Sequence, residues 1–552
     1  MVQQIDHIES IGKRKTETEF LTTIVKGSWG VLFILIIYQL IFFAEITHII
    51  AMSAVVFSWI LATKIWLRRE MLETHLVSAF IIIGFIAGQF YLPLLFTTVE
   101  NKPLVYNLEL PEQVFLHNTL ELLVIVVAHR IYRFFMRASP NRSFSIFEKA
   151  GFFDPPTHLQ LWIMGGVGMV SSIYVYFTAP EVGREVTGAA SDKLVQALVP
   201  FTYAPFFVPL AKLYGNYKKP HRGYALMIVA YAILLLAISI GRNSRGAFIL
   251  GLTTPVYAYG IGLLLGLFKT KIFSVKNIVV GGLILWFLTG PLSDLGTAML
   301  NVRGTRTEIS AMELITLTLE ALDDKDAIKA RKESDNTELI DYDWDEHYLD
   351  NIYTARYANI KFNDSNLITF SRVGEYDPDM RDYSIDQIIV ALPDPVIRMF
   401  NFDVDKELVL SLSFGDYLYV LSGGVGTPTG FRVGHFAGTG MAAFGWWYLL
   451  LFGLVIIPGF YVNDKFFRNK KDLASSSDED DSGKKFQFSF CGILALTGFF
   501  GFLSLESVVQ GLTYVLRSWV QMVILYFLIF HISRIIGRVI SGRQQRSHST
   551  SD

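Results

Sequence analysis

The chain has 552 residues, 52% of them apolar and only 18% charged, with a formal net charge of −2 and a single cysteine. A soluble chain of this length builds its cores without such an apolar excess, so the composition, with a mean hydropathy of +0.39, points away from that class. One cysteine leaves no intramolecular disulfide.

The apolar residues are clumped. Val31–Phe43, Phe80–Phe96 and Ala225–Ile240 carry almost no charge. A hydrocarbon core about 30 Å thick takes about 20 residues of helix to cross, and the backbone inside it must bond within its own segment. Barrel strands would alternate in polarity, which these runs do not. The sequence therefore predicts an all-α polytopic membrane protein. About twelve spans are expected, near 25–44, 46–64, 76–97, 113–129, 158–178, 194–212, 223–241, 246–267, 277–296, 439–462, 488–505 and 516–536.

Basic clusters fall on alternate connections. Lys64, Arg68 and Arg69 follow the second span; Arg130, Arg133, Arg137 and Arg142 follow the fourth. Lys212, Lys218, Lys219 and Arg222 follow the sixth, and Lys269, Lys271 and Lys276 the eighth. Lys465, Arg468, Lys470 and Lys471 follow the tenth, and Arg534, Arg538, Arg543 and Arg546 lie in the tail. Lys and Arg excess marks the cytoplasmic side, which places both termini there. No short apolar core with a small-residue cleavage site opens the chain, so no removable signal peptide is expected.

Three regions follow: a membrane region over 1–299, an outer domain with a glycine-rich return over 300–438, and a second membrane region over 439–552. The last holds a cytoplasmic loop, 463–486, whose Ser475–Ser482 run of Ser, Asp and Glu reads as disordered. From Asn301 through Leu410 there are 24 Asp and Glu against 12 Lys and Arg, as suits a translocated domain facing water. Within it, Ala311–Ser334 has helical spacing, Asp341–Arg356 has no clean period, and Ala391-Leu-Pro-Asp-Pro395 forces an extended turn.

There is no Walker loop, dinucleotide glycine fingerprint or metal-ligand spacing, so no cofactor, metal or nucleic-acid partner is expected. The informative charges lie at the outer ends of spans. Gly241-Arg-Asn-Ser-Arg-Gly246 puts Arg242 and Arg245 in a tight outer turn. Guanidinium groups grip phosphate in bidentate fashion, so the pair suits a lipid-linked diphosphate; snorkelling to headgroups or pairing with outer-domain acids is the plainer alternative. The return Gly423–Gly445 carries eight glycines with Arg432 and His435 three apart. It suits close approach of a ligand, with His435 as base or hydrogen-bond donor, or else a flexible loop. A third set, Glu506, Gln510, Tyr514 and Arg517, lies outside between the last two spans, where Glu506 and Arg517 bind substrate or simply pair.

Ser244-Arg-Gly-Ala247 at the outer start of a helix, a large late outer loop, and a glycine-rich return ending in Phe444-Gly-Trp-Trp447 together resemble the bacterial oligosaccharide repeat-unit polymerases, the O-antigen (Wzy) polymerase family. The resemblance covers the plan of the chain, through motifs of a few residues each. It implies a metal-independent membrane glycosyltransferase polymerising undecaprenyl-diphosphate-linked oligosaccharides at the outer face of the bacterial cytoplasmic membrane. Arg242 and Arg245 would match the arginines of that family's first outer loop, and Arg432 that of its second. Substrate and membrane lipids are the implied partners, with a chain-length regulator and a flippase of the same pathway. By contrast, no acidic residue stands out as a family-like base. An O-antigen ligase-like transferase is the rival of the same class, and a transporter or flippase of lipid-linked sugars the rival of another. Charges at outer ends and a large outer domain favour surface chemistry over transport.

Overall fold

The computed structural model describes residues 2–136, 144–178, 190–241, 245–268, 274–302, 311–333, 344–358, 360–424, 432–469 and 486–549. Among them, eight helices are long and apolar enough to cross a membrane: Phe20–Phe42, Ile46–Trp66, Leu76–Val99, Pro111–Phe135, Leu194–Tyr214, Tyr224–Gly241, Phe436–Asp464 and Gln510–Ile540. All eight coincide with expected spans. Bands of exposed Phe33, Ile34, Ile41, Leu226 and Ile233 on these helices suit a hydrocarbon surround.

The elements used below are α1 (Val2–Phe42), α2 (Ile46–Leu61), α3 (Leu76–Ile86), α4 (Pro111–Phe135), α5 (His158–Thr178), α6 (Tyr224–Gly241) and α7 (Arg245–Leu264). They continue with α8 (Val275–Thr289), α9 (Pro291–Asn301), α10 (Ile360–Val373), α11 (Phe414–Leu421), α12 (Phe436–Phe444), α13 (Tyr448–Asp464) and α14 (Val520–Ser549).

Departures from regular helix have local causes. The sixth expected span contains a 3₁₀ stretch, Val199–Tyr214, because Pro205 and Pro209 remove interior donors. The ninth is split at Gly290, since the residue before Pro291 is pushed out of the α region. The eleventh is not a continuous helix. Residues 488–505 instead carry two five-residue helices, Phe490–Leu494 and Leu496–Phe500, each too short to cross alone, although the segment as a whole runs from the strand pair to Glu506 beside Phe414. There α3 presses so close that a Cβ on Gly84 would overlap the Phe500 carbonyl. Tyr257 of α7 stacks on Phe500, with 4.7 Å between ring centroids.

In the domain expected over 300–438, the expected helix over 311–334 appears as Ala311–Asp323 and Lys325–Glu333, and the Pro393–Pro395 turn is present, with Pro393 extended before Asp394. The domain docks on the connection after Val99. Lys102 Nζ lies 2.6 Å from Asp350 Oδ1 and 3.2 Å from Glu100 Oε2, and Tyr348 donates to the Leu104 carbonyl at 2.6 Å. Asp364 accepts from the Leu110 N–H at 2.8 Å while Lys361 pairs with it at 2.9 Å. At the opposite end of the bundle, a strand pair joins Phe467–Asn469 to Phe486–Phe488 with Phe467 opposite Phe488. It closes the ends of the expected acidic loop, most of which lies outside the described residues. Gln487 there donates to the Phe153 carbonyl at 2.6 Å, and Arg534 meets Asp154 at 2.9 Å.

Candidate functional site

The glycine-rich return is packed tightly against its neighbours. Helix α11 is capped by Ser413, whose Oγ accepts from the Asp416 N–H at 3.0 Å and donates to the Arg432 carbonyl at 2.7 Å. Asp416 Oδ1 in turn accepts from the Arg432 backbone N–H at 3.2 Å and from its Nη1 at 3.1 Å. One turn along α11, the Tyr419 ring lies 3.8 Å beneath the same guanidinium. Arg432 and Asp416 are 5% and 1% exposed, so this is a buried ion pair, stabilising only while both partners are present.

Two further carboxylates close on the return. Val433 N–H donates to Glu346 Oε1 at 3.0 Å, as does Trp344 Nε1 at 2.9 Å. Glu506 Oε2 accepts from the Phe414 N–H at 3.2 Å. Such proximity needs glycine: a Cβ on Gly415 would sit 2.5 Å from the Arg432 carbonyl oxygen, and one on Gly434 2.8 Å from Glu506 Cβ. Thr439 donates to the Glu506 carbonyl at 2.7 Å, and the Gln510 side-chain oxygen accepts from the Glu506 N–H at 2.7 Å.

Asp416 thus pairs with the guanidinium, and Glu346 and Glu506 lie close enough to it and to each other to interact. Burial pushes Glu506 up to about 7, with Asp416 and Glu346 adding repulsion, against the lowering effect of the Phe414 and Gly434 N–H groups. Burial likewise raises Glu346, although Val433, Trp344 and Arg432 oppose it. Glu506 is therefore a carboxyl that changes state near neutrality, the property of a general base.

His435 sits at the N-cap of α12 and is 3% exposed. Its Nδ1 accepts from the Ala437 N–H at 3.3 Å, so its one proton is on Nε2, 3.2 Å from the Gln89 side-chain amide, which accepts it with the amide turned so that its oxygen faces the ring. Burial lowers its pKa, followed by the nearby His117. With both nitrogens engaged, the ring fixes the return against α3's continuation and is poorly placed to take a substrate proton.

Beside Gln510 lies a polar cavity of about 300 Å³, lined by Gln196, Gln387, Gln510, Thr513, Arg517 and Gln521 among others. Gln510, Thr513, Arg517 and Gln521 follow at spacings of three and four, which puts them on one helical face. Arg517 lies in a π-helical turn, Tyr514–Trp519, that runs into α14. Ala197, Ser518 and Gln521 also line a second cavity of about 540 Å³, whose walls include Phe201, Leu250, Cys491, Phe499, Leu525 and Tyr526. A polar chamber under the outer domain thus shares a wall with an apolar one in the bundle.

Of the sequence-derived candidates, Arg432, His435 and Glu506 come together in one network, and Arg517 lines the adjoining chamber. Arg242 lies outside the described residues. Arg245 opens α7, and its side chain is likewise outside them; Ile240, Phe248 and Ile249 of the two helices share a buried cluster with Tyr353. Sequence reasoning missed Glu346, Asp416, Tyr419, Gln89, Gln196, Gln387 and Gln521. Only Asp416-x-x-Tyr419 carried a signal, as an acid and an aromatic one turn apart behind a capping serine. Among the described residues, no group of three or more His, Cys, Asp or Glu could hold a metal ion. These features define a multi-pass membrane protein with a buried acidic site at one end. Comparison with protein-family models, with curated proteins and with solved structures finds no match to the chain.

Proposed function

We propose that the chain is a membrane glycosyltransferase that polymerises lipid-diphosphate-linked oligosaccharide repeat units into a surface polysaccharide. It would work at the outer face of a bacterial cytoplasmic membrane with both termini inside. The observation that carries this reading is the pair of chambers sharing a wall beside Glu506. Their chemistry suits a molecule with a sugar, an anionic head and a long apolar tail: glutamine amides for hydroxyls, Arg517 for the diphosphate, and an aliphatic and aromatic cavity for the prenyl chain.

In this reading an acceptor hydroxyl oxygen attacks the anomeric carbon of the donor sugar. The bond from that carbon to the diphosphate breaks, and the leaving oxygen keeps the electron pair. Arg517 stabilises that charge, an effect worth several kcal/mol in a water-poor site. Glu506, ionised before the reaction, takes the hydroxyl proton. His435 and Arg432 are positioning residues that hold the return on which the Glu506 carboxylate rests.

The test is the purified chain with a prenyl-diphosphate-linked repeat unit. A ladder of product lengths is expected; a single transfer to a different acceptor lipid would instead favour the ligase-like reaction. Arg517→Ala should abolish the ladder and Arg517→Lys restore little of it, because a point charge lacks the bidentate fork. Full extension by the alanine variant would sink the assignment. For sidedness, reporters after Lys271 and within Ser475–Ser482 should be cytoplasmic, and one within Asp341–Asp350 external.

A further inference from the structure

Helix α4 carries His117, Glu121, His129 and Tyr132 among its buried residues, at spacings of four, eight and three that keep them on one stripe. The stripe faces α13, which presents Tyr448 towards one end and Asp464 at the other. From His117 to Tyr132 the helix rises about 22 Å, most of a hydrocarbon core about 30 Å thick. Ionisable groups at that depth are costly and mark ion or proton pathways.

Towards the outer end, the Tyr448 hydroxyl lies 2.6 Å from His117 Nδ1 and 3.3 Å from Glu121 Oε1. A phenol has one proton, so it accepts from one neighbour while donating to the other. An imidazolium at His117 gives its Nδ1 proton to Tyr448 as Tyr448 gives its own to Glu121. The ring is left neutral, the carboxyl is protonated, and the net change is one proton moved inward. Glu121 is fully buried, and its Oε2 has no partner. His117 itself stacks on Trp446, which is half exposed.

The other end repeats the pattern with different groups. Trp66 Nε1 donates to His129 Nδ1 at 3.3 Å, which fixes the ring proton on Nε2, 3.1 Å from Ser78 Oγ. Ser78 Oγ donates to Asp464 Oδ2 at 2.7 Å, and Tyr132 donates to the same oxygen at 2.8 Å. His75, Arg133 and Lys465 are the other charged or titratable groups within electrostatic reach. Between the two relays Glu121 and His129 stand eight residues apart, about 12 Å. Over that stretch α4 carries Ile125, and α13 carries Phe452 and Ile456 between Tyr448 and Asp464, all wholly buried and apolar.

We propose that the α4/α13 seam is a proton pathway, a function separate from glycosyl transfer. His117–Tyr448–Glu121 and His129–Ser78–Asp464 are its two relays, and the apolar plug at Ile125 is its gate. Protons cross when water enters the plug.

The full chain, reconstituted in liposomes with a trapped pH dye and driven by a valinomycin potassium potential, tests this. Ile125→Ser, which invites water into the plug, should raise proton influx at least several-fold above wild type. Adding Glu121→Gln, which keeps the Tyr448 hydrogen bond, should return it to the protein-free rate, as should Ser78→Ala. Each variant must elute as a monodisperse folded peak. Influx at the protein-free rate in both wild type and Ile125→Ser overturns the proposal, as does influx unaffected by Glu121→Gln.

Discussion

The two ends of the bundle hold their buried carboxylates differently, one acid with three donors at one end and three neighbouring acids at the other. Asp464 alone receives the Ser78 N–H, the Ser78 hydroxyl and the Tyr132 hydroxyl, at 2.7–2.8 Å. At the other end, Asp416 pairs with Arg432, Glu346 accepts from the Val433 N–H and the Trp344 indole, and Glu506 accepts from the Phe414 N–H. There burial and the neighbouring carboxylates raise Glu506 to about 7, and burial raises Glu346 as well.

That contrast can be broken by removing one acid at a time. The largest effect belongs to Asp416→Ala, which leaves Arg432 buried without its partner and should cost about 3–5 kcal/mol. Thermal unfolding in detergent measures it; an unchanged midpoint would mean that Glu346 or Glu506 takes over the guanidinium. Gly434→Ala comes next. The new methyl pushes against Glu506 Cβ and should cost about 1–3 kcal/mol through forced displacement. The same substitution at Gly498, where a Cβ meets nothing within 4 Å, is the control and should leave the midpoint nearly unchanged.

The pH dependence sharpens the contrast. A carboxyl raised from 4.5 to about 7 on folding holds its proton more tightly in the native state. Native stability therefore falls as pH rises from about 4.5 to 7, by on the order of 3 kcal/mol at most. Glu506→Gln removes this term, so its melting midpoint relative to wild type should climb between pH 5 and 8. A constant difference would place Glu506 among the ordinary acids. In the same window, turnover of wild type should fall below pH 7, while His435→Gln should leave that acid limb where it is. The smallest effect is Lys406→Ala. It breaks an exposed pair with Asp394 and should change stability by about 1 kcal/mol or less.

The membrane spans were legible because each one repeats the same apolar signal over some 20 residues. The broken segment over 490–500 was not, because its composition equals that of a crossing helix and only the close approach of Gly84 distinguishes it. Within the site, the return showed itself through its glycines, and Glu506 through its place between spans. Asp416 and Glu346 lie 90 and 160 residues from Glu506 in the chain, and acids are common throughout that domain. Nothing local marks which of them turn inward. His435 shows a related limit: a titratable ring near an arginine looks the same in sequence whether its nitrogens are open or already engaged by Ala437 and Gln89.

The π-helical turn at Tyr514–Trp519 bears on how the protein tolerates change in length. Such a turn holds about one residue more than α-helix needs, so the faces above and below it stay in register. Deleting Val515 should let the turn relax to ordinary helix with α14 still seated. Gln510, above the turn, would keep its place beside the chamber that Arg517 lines. A chain shortened there by one residue should insert and fold with that polar wall largely intact. An equal deletion in a regular stretch of α14, at Ile524 for instance, should instead disrupt the packing of everything that follows.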